Sequence, residues 1–89
     1  MSYPDEESAL VRKLSDVQRE KLRYNRHKDH WRHYSPKQML RRAETELREL
    51  RRAIEADKPA PDVWAEAADV ANFVAMVAQN HQNAREDSR

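Results

Sequence analysis

Residues 63–78, VWAEAADVANFVAMVA, hold only three polar positions in sixteen: Glu66, Asp69 and Asn72. As a helix this segment is apolar on every side, and such a helix belongs in the middle of a packed structure. The polar residues follow one another at i, i+3 and i+6, so they form one drifting row on one side. Two carboxylates in so apolar a segment are costly unless positive charge meets them. A second acidic pair at the same spacing, Glu46 and Glu49, lies in the preceding helical stretch. Two such pairs on adjacent helices supply oxygen ligands for a hard divalent cation, Mg²⁺ or alternatively Mn²⁺. The competing reading joins the same acids to the chain's many arginines as salt bridges.

The rest of the composition narrows the field. Eighty-nine residues make one small domain, residues 1–89, and a chain this short often leans on a second subunit. Glycine and cysteine are both absent. The first absence excludes the Gly-rich phosphate loops of P-loop and dinucleotide folds. The second excludes disulfide frameworks and thiolate zinc sites. High Ala, Leu, Arg and Glu content favours an all-α chain. With no secretion signal and no run of eighteen apolar residues, a cytoplasmic protein without a membrane partner is expected.

Three helices are expected, over about 5–29, 36–56 and 62–81, with a polar tail over 82–89 that frays. Helix 1 carries a stripe of Leu10, Leu14 and Val17, and Lys21, Asn25 and Lys28 continue that stripe. Its inward face therefore changes from apolar to basic and polar partway along. Ser35-Pro36-Lys37-Gln38 is a capping box with proline at the first helical position. In helix 2, Leu40, Ala43, Leu47, Leu50 and Ile54 give a bundle or coiled-coil seam. Glu46 sits at the edge of that seam, and periodicity turns Glu49 toward solvent. Lys58-Pro59-Ala60-Pro61 breaks the chain, with Ala60 or Asp62 as the next cap.

Charge is segregated. Residues 12–42 carry eleven Lys or Arg against three acids, while the remainder carries six basic and thirteen acidic residues. Lysines neutralise phosphate oxygens, an asparagine hydrogen-bonds a base or sugar, and Trp31 offers a stacking face. Equally, lysine stems can snorkel along a core. A nucleic-acid surface is disfavoured, because the basic residues spread all round helix 1 and no recognition-motif spacing is present. His27, His30 and His33 fall where helix 1 ends, which spoils their convergence on a metal.

Glu46-Leu-Arg-Glu49, followed by Glu66-Ala-Ala-Asp69, resembles the ExxE…ExxD signature of the all-α nucleotide pyrophosphohydrolases. Lys21-Leu-Arg-Tyr-Asn25-Arg-His-Lys28 leading to Trp31, and Glu66-Ala-Ala-Asp69-Val-Ala-Asn72-Phe73, look like the small MazG-like branch. The resemblance covers about residues 20–80. It implies a MazG-like helical bundle and Mg²⁺-dependent hydrolysis of a nucleoside triphosphate between the α- and β-phosphates, giving monophosphate and pyrophosphate. It assigns the metal to Glu46, Glu49, Glu66 and Asp69, and the nucleotide to Lys21, Asn25, Lys28 and Asn72. Trp31 is placed to cover the base. Glu46 and Glu49 are the two candidates for the general base.

Longer relatives carry a further helix after the third, so a pocket completed by a second subunit is expected. Helix 3 is apolar on nearly every side, and two companions cannot cover it. A homodimer or homotetramer follows, with Phe73 or Met76 near the interface. The rival reading is a non-enzymatic helical protein, either a nucleic-acid binder or an oligomeric adaptor.

Overall fold

The structure, a computed structural model, describes residues 3–24 and 31–87. Among these, all regular structure is helical: α1 (Tyr3–Tyr24), a 3-10 turn at Trp31–His33, α2 (Pro36–Glu55) and α3 (Ala60–Asp87). The chain runs up, down and up. α3 lies between the other two, packed along α2 and more lightly along α1. The expectation that the apolar segment runs through the middle holds in that sense. No described helix is long and apolar enough to cross a membrane.

α2 is bounded by two local devices. At its start, the Gln38 amide donates to Ser35 Oγ (3.1 Å) and the Ser35 amide donates to Gln38 Oε1 (2.8 Å). This is the expected reciprocal cap, with Pro36 just inside. At its end, the Asp57 amide bonds to Ile54 O and the Lys58 amide to Ala53 O. That pair is a Schellman motif, which needs a left-handed residue. In a chain without glycine, Asp57 takes that conformation, at φ 52°. The Asp62 and Val63 amides both bond to Pro59 O, so α3 starts at Ala60, and Asp62 sits in its first turn rather than capping it.

The core is small and made of small residues. Met39 is fully buried, and Ala43, Ala53 and Ala68 let α2 and α3 approach closely. Three expectations are corrected here. Leu40, Leu47 and Ile54 are about half exposed, while Met39, one residue off that stripe, fills the core. α2 turns the edge of its apolar arc toward α3, and the leucine side stays outside. Leu10 is also exposed, and α1 buries no residue completely. The third concerns the tail: α3 continues to Asp87 instead of fraying after residue 81. Side-chain bonds one turn apart support this stretch, Gln79 to Asn83 and Gln82 to Glu86, both 2.9 Å.

Candidate metal centre

The four-residue connection between α2 and α3 forces an antiparallel hairpin. Position 46 on α2 therefore falls across from positions 66 to 69 on α3. Glu46, Glu66 and Asp69 each offer a carboxylate oxygen, and the three oxygens lie within 4.8 Å of one another. All three residues are half-buried. Glu66 and Asp69 share a side of α3 because they are three residues apart.

Two of the acids show the strain of this crowding. The Glu46 carboxyl is pushed above the ordinary glutamate value, first by burial and then by the charges of Asp69, Glu66 and Glu49. Glu66 is pushed up likewise, by burial and then by Asp69. In both, Lys21 acts in the opposite direction. Its Nζ stands 3.2 Å from Asp69 Oδ2. α1 thus delivers one cation to an acidic nest built by α2 and α3, as the switch from apolar to basic along its inner stripe anticipates.

Glu49 stands outside the triad. Its carboxylate accepts from Arg52 Nη1 at 2.8 Å, one turn along α2 and partly open to water. Its charge still reaches Glu46 and Glu66. Asn72 is buried, and it clamps α1 to α3: Gln18 Nε2 donates to Asn72 Oδ1 (3.1 Å), and Asn72 Nδ2 donates to Gln18 O (3.3 Å). Asn25 and Lys28, like His27 and His30, lie outside the described residues. Trp31 is half-buried, with the Arg32 guanidinium 5.5 Å from its ring.

Sequence reasoning passed over the residues that frame this site. Gln18 lies on the same inner stripe as Leu14 and Lys21, and that placement was the available signal. Asn80 Nδ2 donates to the carbonyls of Trp31 and Tyr34, both at 2.9 Å, and so ties the turn before α2 to α3. Arg42 bridges the rings of Tyr34 and Phe73, at 5.3 and 5.4 Å. Lys13 sits 4.7 Å from the Trp64 ring. Neither family models, nor curated proteins, nor solved structures match this chain.

The donor set fits a divalent cation. Three carboxylate oxygens suit Mg²⁺ or Mn²⁺. Burial first, and then repulsion among the acids, raises two of the carboxyls, and positive charge entering the nest acts against both. The Lys21 ammonium, bonded to Asp69, supplies part of that charge.

Proposed function

We propose that this protein is a Mg²⁺-dependent nucleotide pyrophosphohydrolase of the MazG-like type, cleaving a nucleoside triphosphate between its α- and β-phosphates. The observation that carries the reading is the convergence of Glu46, Glu66 and Asp69 beside Lys21. These are three of the four acids that the ExxE…ExxD resemblance singles out, Glu49 being the fourth, together with a cation from the helix expected to meet phosphate.

Glu46, Glu66 and Asp69 would hold the metal. When bound, Mg²⁺ neutralises charge on the anhydride oxygens and lowers the pKa of a coordinated water. The chain's own residues do the rest. Glu49, outside the triad, accepts the proton of the attacking water. The water oxygen bonds to the α-phosphorus, the bond from that phosphorus to the bridging oxygen breaks, and pyrophosphate leaves with the bridging oxygen. Lys21 exchanges Asp69 for the phosphate oxygens, and the resemblance gives Asn25 and Lys28 a share in binding the same nucleotide. Trp31 covers the base. Asn72 supports the pocket by holding α1 against α3. The working unit is a homo-oligomer, a dimer or a dimer of dimers.

The test is incubation with a panel of nucleoside triphosphates and Mg²⁺ or Mn²⁺, measuring pyrophosphate against orthophosphate. Pyrophosphate with monophosphate is expected, and Glu49→Gln reduces its release by roughly 10²–10⁴-fold, the span of a general base. Orthophosphate alone, or no turnover with either metal, overturns the reading. It would favour the adaptor, in which the Lys21–Asp69 pair is structural.

A further inference from the structure

We infer that the outer face of α2 is a self-pairing surface, on which a second copy of this chain docks its own α2 in antiparallel register about Leu47. The surface deepens the oligomeric part of the reading above, and it requires neither metal nor catalysis.

Leu40, Leu47 and Ile54 are 48%, 55% and 60% exposed. They recur every seven residues, the repeat of a helix–helix seam. Leu47 and Ile54, with Leu50 and the side chains of Arg48 and Arg51, line a groove along this face. Among the described residues α1 packs on α3 rather than along α2.

Area argues for an occupant. The chain exposes 7306 Å². A compact monomer of 10.6 kDa exposes about 5,500 Å². The excess, taken over the whole chain, exceeds the roughly 800 Å² per partner that a standard stable interface buries, and Leu40, Leu47 and Ile54 are among the large apolar residues that contribute to it. The radius of gyration, 14.9 Å, likewise exceeds the ~12 Å of a compact chain of this length.

Charge argues for the identity and direction of that occupant. A two-fold axis through Leu47 places Leu40 against Ile54 of the second copy. It also sets Glu44 against the second copy's Arg51, and Arg51 against its Glu44. Beyond them, Arg41 meets Glu55 in the same way. Glu44, Arg51 and Glu55 are all exposed, and the internal Arg51–Glu55 pair is long, at 4.0 Å. Arg48, nearest the axis, has its Nη2 turned back on Thr45 Oγ1 at 3.2 Å. A parallel pairing gives Glu44 and Arg51 no opposite charge, because each then faces the apolar side of the other helix.

Sedimentation equilibrium at micromolar protein tests the surface. Twice the chain mass is expected for the wild type, and the monomer mass for Leu47→Glu with its helical circular dichroism retained. Glu44→Arg weakens the dimer about tenfold, and adding Arg51→Glu restores it. Since the chain has no cysteine, single cysteines report direction. A short bis-maleimide links Leu47→Cys to itself. It does not link Leu40→Cys to itself, because antiparallel packing puts those positions about 21 Å apart. A monomeric wild type overturns the proposal. So does a dimer that survives Leu47→Glu, which would place the interface on another face such as α3. Loss of pyrophosphate release with this dimer intact counts only against the catalytic reading.

Discussion

Lys21 is the residue on which the site's charge balance turns. It lowers the cost of ionising Glu46 and Glu66, while burial and mutual repulsion raise it. Both carboxyls titrate above the ordinary glutamate value of 4.5, so the folded chain holds these protons more tightly than the unfolded one. Their contribution to stability is therefore greatest at low pH and falls as pH rises through the window from 4.5 up to the raised values. This is the reverse of a salt-bridged acid. Glu46→Gln removes one of these titrations, so the melting temperature of the metal-free variant, relative to wild type, climbs as pH rises through that window. A constant difference across the window would show that burial and crowding do not act on Glu46. The convergence of Glu66 and Asp69 with a cation beside them was legible because a polar row in an apolar helix has a cost that something must offset. Glu49 was raised by its spacing from Glu46 and by the resemblance, while its periodicity pointed to solvent, and the structure leaves it partly open to water beside Arg52.

At the scale of the element, α2 owes its limits to backbone chemistry at both ends. Ser35→Ala removes the acceptor for the Gln38 amide and costs about 1 kcal/mol. Asp57 holds a left-handed conformation that only glycine adopts without penalty. Asp57→Gly relieves that penalty at a compatible site, and a gain of about 0.5 kcal/mol is expected. Urea unfolding at fixed protein concentration measures both, and a loss in Asp57→Gly would show that the Asp57 side chain contributes more than its backbone costs. The capping box and the proline break were readable because they are local. Which side of α2 faces α3 was not. Periodicity marks an apolar arc, but it does not say which part a neighbour covers and which stays open; Ala43 and Ala53 permit close approach to α3, Met39 fills the space on that side, and Leu40, Leu47 and Ile54 stay open. The end of α3 was missed for a related reason: residues 79–86 are polar, yet they bond to one another at helical spacing.

For the whole molecule, the arrangement of three helices matters more than any one contact. Among the described residues α1 and α2 barely touch, and α3 packs against both. The triad joins α2 to α3, and the Lys21–Asp69 pair brings in α1 at the same level. A cation bound there should therefore stabilise the whole cooperative unit rather than one hairpin. At a hundredfold excess over its dissociation constant the gain is about 2.7 kcal/mol, a rise in melting temperature of roughly 10–20 °C for a domain of this size. Asp69→Asn removes one of the proposed ligands and the partner of Lys21, and it also removes a charge that repels Glu46 and Glu66. These effects oppose each other in the metal-free chain, so its melting temperature should stay within a few degrees of wild type, while the Mg²⁺-dependent rise disappears. Calorimetric scans with and without Mg²⁺, at one protein concentration, measure both quantities. The opposite pattern, a strongly destabilised Asp69→Asn that still gains from Mg²⁺, would make Asp69 a structural partner of Lys21 and remove it from the metal centre.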